Sequence, residues 1–97
     1  MNLLVDPGAL TELQNATAFY IAHSNRALGA AFIAEFERIT RLLLANPLIG
    51  SIRKKSIRQY AFRRFPYLVI YQVVADKLRI MAVAHQRRKP AYSKGRA

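Results

Sequence analysis

Hydrophobic residues near the start of the chain recur with the spacing of an α-helix. Between Pro7 and about His23 the apolar positions follow one another at intervals of 4, 3 and 4 residues, which line one helical face. These positions are Ala9, Leu13, Ala16 and Tyr20. Asp6 precedes the proline as a candidate N-cap, so we predict a short strand over 1–6 and a first helix over 7–24.

A second apolar stripe follows, with intervals of 4, 4, 3 and 4 residues. It consists of Leu28, Phe32, Phe36, Ile39 and Leu43. Asn25 is placed to cap this helix and Asn46-Pro47 to end it, which predicts a helix over 25–46. Glu37 lies four residues before Arg41, so we expect an exposed ion pair worth about 0.2–0.5 kcal/mol on the outer face.

After Gly50 the period of the pattern shortens to about 2 residues, as in β-strands. Three strands are predicted, over 56–62, 67–74 and 78–85. A short polar turn at Ala75-Asp76-Lys77 joins the last two as a hairpin. The run Tyr67–Val74 is apolar on both faces and is therefore predicted to be the central strand, with Tyr67 and Tyr71 facing one packed layer.

Together these elements predict an α+β fold in the order βααβββ. An N-terminal strand and a helix hairpin are expected to pack on an antiparallel meander of three strands over 52–86, followed by a basic tail over 87–97. A chain of 97 residues can enclose only one hydrophobic core, so we predict a single domain over 1–97.

The charge of the chain is divided unevenly between its two halves. The formal net charge is +11, and residues 1–50 contribute −1 from three basic and four acidic side chains. Residues 51–97 contribute +12, because thirteen Lys and Arg stand against Asp76 alone. Charge of this density indicates an acidic partner, and nucleic acid, an anionic membrane surface and an acidic protein segment all meet that requirement.

The residue types exclude several classes of function. The chain has no cysteine, two distant histidines and isolated glycines, so neither a metal site nor a phosphate-binding loop is predicted, and we expect no cofactor. Apolar runs are far shorter than the roughly 18 residues of a membrane span. The segment Met1–Leu10 has no positively charged start, so we expect no secretory signal and a cytoplasmic location.

Several short motifs occur in order along nearly the whole chain. They are P-x-A-x-x-E-L at Pro7–Leu13, Phe32 and Glu35 in the second helix, Asn46-Pro47, the run Arg63–Tyr67 leading into Ile70-Tyr71, and the run His85–Tyr92. These motifs resemble those of the RelE/ParE toxin superfamily. The resemblance implies the toxin half of a type II toxin–antitoxin pair, with a βααβββ core against which the antitoxin's C-terminal segment folds.

The superfamily contains two activities, and the resemblance separates them at two positions. RelE-like members cut mRNA on the ribosome and typically carry an arginine in the central strand, where it stabilises developing phosphate charge. Leu68 stands at that position here, and Gln86 stands where a second arginine is expected. The motifs therefore resemble the ParE-like branch more closely and imply a non-enzymatic poison of DNA gyrase. A ribosome-dependent mRNA interferase is the alternative.

Four residues are the candidates for catalysis if the chain is a nuclease. They are His85, Arg87, Arg88 and Tyr92. Cleavage at a 2′-hydroxyl needs a base, an acid and a cationic phosphate clamp, and His85 and Arg87 are predicted to point to one side of a strand end. The competing interpretation is structural: His85 bonds a backbone carbonyl, and Tyr92 anchors the tail to the sheet.

The second candidate site is basic and would bind the target or the antitoxin. Its residues are Arg53, Lys54, Lys55, Arg58, Arg63 and Arg64, together with Arg87, Arg88 and Lys89. The first six have no acidic residue among them and flank Tyr60 and Phe62, so an anionic surface would relieve their mutual repulsion. We predict a continuous basic surface, against the alternative of a solvated rim. A general nucleic-acid binder is a third class.

The resemblance also implies partners and a setting. The antitoxin is expected to carry an acidic C-terminal segment, and the target is DNA gyrase, with the ribosome and mRNA as the alternative. A toxin–antitoxin heterotetramer is one assembly that the resemblance allows. No membrane partner is expected. Such a toxin inhibits growth and contributes to plasmid stabilization.

Overall fold

The computed structural model describes residues 1–87. Its helices are α1 (Pro7–His23) and α2 (Arg26–Ala45). Its strands are β1 (Asn2–Val5), β2 (Ser51–Lys54), β3 (Ile57–Ala61), β4 (Tyr67–Val74) and β5 (Lys77–His85). Within this part of the chain no helix combines the length and apolar character needed to cross a membrane. Apart from Arg87, the predicted basic tail lies outside the described residues.

The strands form one mixed sheet in the order β1-β5-β4-β3-β2, so β4 is central as predicted. β4 pairs antiparallel with β3 and with β5, where Tyr67 lies opposite His85. β1 lies parallel to β5, with Val5 opposite Ile80. Parallel neighbouring strands must be joined by a long crossover connection. Here α1 and α2 form the first part of the connection from β1 to β5. The predicted α+β class, with a strand and two helices before the remaining strands, is confirmed.

The structure contains one strand that the sequence prediction lacks. Ser51–Lys54 pairs antiparallel with β3, so the meander has four strands rather than three. The turn between β2 and β3 consists of Lys55 and Ser56, and Lys55 has a φ of 52°. Glycine or asparagine usually occupies such a left-handed position, so lysine here gives no recognisable hairpin signal.

Both helices bury their predicted apolar stripes against one face of the sheet. Phe32, Ile39 and Leu43 of α2 are 0% exposed. The ring of Phe32 stacks on Phe62 at 4.9 Å between centroids and meets Phe65 edge-on at 5.1 Å. Burying a large apolar side chain in this layer contributes roughly 1.5–3 kcal/mol before the loss of conformational entropy. The layer therefore packs α2 against the turn between β3 and β4 and the start of β4.

The side chains of β4 alternate between the two faces of the sheet. Tyr67, Val69 and Tyr71 belong to the layer beneath the helices, as predicted. Ile70 belongs to a smaller apolar cluster with Ala82 and other residues on the opposite face. The register between β4 and β5 shifts after Ile70, so the sheet is irregular at its centre.

The two helices are capped in different ways. The side chain of Asn25 accepts the N–H of Leu28 at 2.8 Å, which confirms the predicted cap of α2. Asp6 occupies the N-cap position of α1, but its side chain makes no cap bond. Its carboxylate instead accepts Nη2 of Arg79 at 2.8 Å. The guanidinium is itself charged and donates to both carboxylate oxygens, whereas a cap bond would come from a single neutral amide, which explains this preference.

Candidate functional site

The turn between β3 and β4 presents two adjacent arginines, and we call residues 62–66 the arginine turn. Phe62 and Phe65 are each 6% exposed and anchor the turn in the core, whereas Arg63 and Arg64 are exposed. The N–H of Phe62 donates to the carbonyl of Tyr67 at 2.9 Å, and the N–H of Tyr67 donates to the carbonyl of Phe65 at 2.8 Å. The two arginines therefore stand on a closed and well-anchored turn.

Glu35 of α2 fastens this turn to the helix. Its carboxylate accepts the backbone N–H of Arg63 at 2.6 Å and the Nε and Nη2 of Arg38 at 2.7 and 2.8 Å. The bonds from Arg38 are the main cause of the lowered pKa of Glu35, so the carboxylate is ionised at neutral pH. The predicted pair between Glu37 and Arg41 is not among the ion pairs of the described residues.

An open hollow of about 500 Å³ lies between α2 and the arginine turn. Its lining consists of Ala31, Ala34, Glu35, Arg38, Arg41, Arg63, Arg64 and Phe65. Four guanidinium groups against one carboxylate give this lining a formal net charge of +3. A concave surface of this charge attracts anionic groups of a partner.

Arg58, another residue of the predicted basic site, is used within the fold. It lies on β3, is half-buried, and donates through Nη1 to the carbonyls of Leu48 at 3.1 Å and Gly50 at 2.8 Å. Both carbonyls belong to the loop between α2 and β2. Arg58 therefore holds that loop against the sheet, and its Nη1 is already occupied by backbone acceptors.

The other predicted cations of the meander lie at the β2–β3 hairpin. Arg53 donates to the side chain of Gln59 at 2.7 Å, and Lys54 and Lys55 are exposed. None of these three residues lines the hollow. The structure therefore brings Arg63 and Arg64 together with α2 and places the hairpin cations at the edge of the sheet.

His85 ends β5 and is half-buried. Its ring meets Tyr67 edge-on at 5.2 Å, and Nδ1 accepts the backbone N–H of Arg87 at 3.1 Å. The structural interpretation anticipated a bond to a backbone carbonyl, but the ring accepts instead of donating. The strand ends at His85 and Arg87 lies in a turn, so strand alternation does not extend to Arg87, and its predicted position on the same side as His85 stays a prediction. Arg88 and Tyr92 lie outside the described residues.

The comparisons with known proteins agree with this fold. Residues 3–90 match the family described as the ParE toxin of the type II toxin–antitoxin system parDE. The chain belongs to the ParE toxin family. A structure of the chromosomal ParDE TA system from P. aeruginosa is similar to it, with a TM-score of 0.77 and 16% identity over 88% of this chain and 95% of that chain. At this identity the likeness shows a shared fold. No curated protein sequence matches the chain.

In this ParE family toxin, Leu68 and His85 lie on opposite faces of the sheet. Tyr67 belongs to the layer beneath the helices, and His85 is its partner on β5. Leu68 pairs with Ala84, which belongs to the cluster on the other face. Directly paired residues share a face in antiparallel strands. An arginine at position 68 would therefore project away from the ring of His85.

Sequence reasoning missed the contribution of α2 to the hollow of this ParE family toxin. Glu35, Arg38 and Arg41 all line it, yet they belong to the half of the chain whose net charge is −1. Glu35 and Arg63 are 28 residues apart, so no local pattern connects them. The available signal was Glu35 itself, which appears in the family motif without an assigned role.

Proposed function

We propose that this ParE family toxin binds DNA gyrase, traps it on cleaved DNA, and is neutralised by an antitoxin with an acidic C-terminal segment. The observation that carries the proposal is Leu68, an apolar residue at the position where the nuclease branch places an arginine. Leucine cannot stabilise the negative charge that develops on a phosphate during RNA cleavage. A toxin that acts by binding needs no such group.

The environment of His85 supports the same proposal. The Nδ1 nitrogen of the ring accepts a hydrogen bond from the backbone N–H of Arg87, and the ring packs against Tyr67. Because Nδ1 accepts, the proton of the neutral ring is on Nε2, so the ring lacks an unoccupied basic nitrogen for a proton-abstraction step. Arg87 lies in the turn after β5, and its backbone N–H occupies this Nδ1 nitrogen.

The charge of the chain supports recognition of acidic partners. The formal net charge of +11 increases the rate of encounter with an acidic protein surface and with gyrase-bound DNA. The antitoxin would compete with gyrase for part of the same basic surface, and by occupying that surface it would prevent the toxin from binding gyrase. We place this function in the cytoplasm, where a toxin–antitoxin heterotetramer is the expected resting form and free toxin inhibits growth and stabilises plasmids.

Two purified reactions run side by side test this proposal. The toxin is added to gyrase with relaxed plasmid and, separately, to a cell-free translation reaction with a defined mRNA. We expect supercoiling to fall with toxin concentration while the mRNA remains intact. Full supercoiling together with cleaved mRNA would overturn the proposal and assign the toxin to the nuclease branch.

A further inference from the structure

Three exposed apolar side chains lie close together in the sequence, where the loop after α2 leads into β2. Leu48 is 66% exposed and Ile52 is 65% exposed, more than any other large apolar side chain of residues 1–87. Ile49 is 48% exposed. We call these three residues the apolar edge cluster. Single exposed apolar residues are common on protein surfaces, but a contiguous group of them marks an interaction site.

Arg58 brings the apolar edge cluster together in space. Ile52 on β2 is the direct partner of Arg58 on β3, and directly paired residues of antiparallel strands share a face of the sheet. Nη1 of Arg58 donates to the carbonyl of Leu48 at 3.1 Å. The backbone of Leu48 therefore lies beside the face that carries Ile52, and the cluster forms one surface across the loop and the edge strand.

The loop between α2 and β2 is held from below by buried groups. The hydroxyl of Tyr71, a residue that is 0% exposed, accepts the N–H of Gly50 and donates to the carbonyl of Pro47. Nη1 of Arg58 also donates to the carbonyl of Gly50 at 2.8 Å. A loop with these bonds is ordered before a partner arrives, which reduces the entropy lost on binding.

The apolar edge cluster lies in a part of the chain that has no negative charge. No Asp or Glu occurs in residues 38–75, the longest such stretch of the sequence. Arg53, Lys54 and Lys55 follow Ile52 directly and form no ion pair within residues 1–87. β2 is an outermost strand of the sheet, and three cations at this edge repel a second copy of the chain. A partner with negative charge is therefore favoured.

Leucine and isoleucine favour a protein partner over a nucleic acid. Aliphatic side chains have no aromatic face on which an unpaired base can stack, whereas they pack well in an apolar recess of a protein. At protein interfaces, a few side chains that become fully buried supply most of the affinity, and the charges around them raise the association rate. The apolar edge cluster and the three cations beside it combine both features.

We infer that the apolar edge cluster is the surface through which the toxin holds its protein target. The matching surface of the target is an apolar recess bordered by carboxylates, which receives Leu48 and Ile52. The three neighbouring cations meet its rim. No residue of the cluster lines the hollow between α2 and the arginine turn. The inference deepens the proposed function and rests on it in taking gyrase as the target.

Surface plasmon resonance on immobilised gyrase, in the absence of DNA, tests the inference. Leu48→Gln/Ile52→Thr removes the two most exposed apolar side chains without changing charge, and threonine keeps the β-branching that suits a strand. We expect this variant to bind at least about tenfold more weakly than the wild type, because loss of central buried side chains dominates affinity. Lys54→Gln/Lys55→Gln should bind about two- to fivefold more weakly, chiefly through slower association.

Matched controls separate the cluster from general effects of polarity and charge. Leu10→Gln/Leu4→Thr makes comparable changes at side chains that are 45% and 46% exposed, on α1 and on the strand at the opposite edge of the sheet. Arg26→Gln/Lys77→Gln removes two exposed positive charges elsewhere. Both controls are expected to bind within about twofold of the wild type, because exposed groups far from a contact contribute little. Urea unfolding of every variant shows that the fold is retained.

Equal affinity of the wild type and Leu48→Gln/Ile52→Thr for gyrase would overturn the inference alone. Escape of that variant from neutralisation by co-expressed antitoxin would then assign the cluster to the antitoxin, and loss of self-association would assign it to a second copy. Equal weakening in the cluster and control variants would overturn it as well, as would selective loss of binding to a DNA duplex. Wild-type toxin that fails to bind gyrase would end the proposed function and the inference together, so the two failures are distinguishable.

Discussion

The phenolic oxygen of Tyr71 lies 2.9 Å from the backbone nitrogen of Gly50, 21 residues earlier in the chain. The same hydroxyl donates to the carbonyl of Pro47 at 2.8 Å. Tyr71 is 0% exposed and belongs to the central strand, and burial is the main cause of its raised pKa. The tyrosine therefore ties the loop after α2 to the middle of the sheet.

Gly50→Ala is expected to destabilise the protein. A Cβ at this position would lie 2.5 Å from the Tyr71 hydroxyl and 2.7 Å from the carbonyl oxygen of Gln59. Overpacking of this kind typically costs about 1–3 kcal/mol. Urea unfolding should show a lower midpoint with an unchanged slope.

Gly8→Ala is the matched control, because nothing lies within 4 Å of its added Cβ. Alanine is favoured over glycine in helices by up to about 1 kcal/mol, so this variant should be as stable as the wild type or more stable. Equal stability of the Gly50 and Gly8 variants would contradict the proposed packing of Tyr71.

Asp6→Asn is expected to weaken the attachment of α1 to β5. The Asp6 carboxylate accepts the Nε of Arg79 at 2.9 Å and its Nη2 at 2.8 Å, and only 17% of the aspartate side chain is exposed. Charge-assisted bonds of this type contribute about 1.5–3 kcal/mol to stability. The side-chain amide of the asparagine variant can still accept a hydrogen bond from Arg79 and so retains part of that contribution. We expect a loss of about 1–2 kcal/mol in the free energy of unfolding.

Asp76→Asn provides the comparison for this pair. Asp76 lies 3.8 Å from Lys77 and its side chain is 75% exposed, so their interaction is weak. Its replacement should change stability by less than about 0.5 kcal/mol. If both variants lose the same stability, the pair between Asp6 and Arg79 is not a specific anchor.

Glu12→Gln is expected to change how stability depends on pH. Oε1 of Glu12 accepts the backbone N–H of Val83 at 3.0 Å, and burial raises the pKa of this carboxyl more than the bond lowers it. The folded state therefore holds its proton more tightly than the unfolded state, whose glutamate pKa is about 4.3. Stability from this group declines as pH rises from that value through the raised pKa.

The glutamine variant keeps an acceptor for Val83 and cannot ionise. Its unfolding free energy should therefore decline less than that of the wild type between about pH 4.3 and neutrality. Glu35 acts in the opposite sense, because its lowered pKa gives stability that is lost only at lower pH. Superimposable pH profiles for wild type and Glu12→Gln would refute this role of burial.

Much of the fold follows from the sequence because its helices have regular apolar stripes. The positions Phe32, Ile39 and Leu43 alone locate the buried face of α2. β2 escaped prediction because it has four residues, two of them basic, and a turn that begins with Lys55. The parallel pairing of β1 with β5 joins residues at opposite ends of the described chain, such as Val5 and Ile80, which no local pattern reports.

The candidate site was predictable only in part for the same reason. Arg63 and Arg64 stand out in the sequence as part of a cationic cluster, and the structure places both at the hollow. Arg58 belongs to the same cluster but bonds to backbone carbonyls of a loop that precedes it. Whether a cation faces a partner or its own fold depends on tertiary contacts, and Glu35 contributes through such a contact.

The double variant His85→Ala/Tyr92→Phe is expected to remain toxic. If the toxin acts by binding gyrase, removing an imidazole and a phenolic hydroxyl leaves its activity in place, provided that the loss of packing on Tyr67 does not unfold it. Growth after induction measures toxicity, and urea unfolding of the purified variant measures the fold. Complete loss of toxicity in a folded variant would support the nuclease alternative.

The central claim is that the toxin traps gyrase on DNA, and the most direct measurement is of the trapped complex itself. Purified toxin, gyrase and plasmid are incubated together, stopped with detergent, treated with protease and separated by electrophoresis. The proposed function predicts linear plasmid whose amount rises with toxin concentration and requires gyrase. Plasmid that stays circular at every toxin concentration would contradict it, if expression of the same toxin in cells arrests their growth.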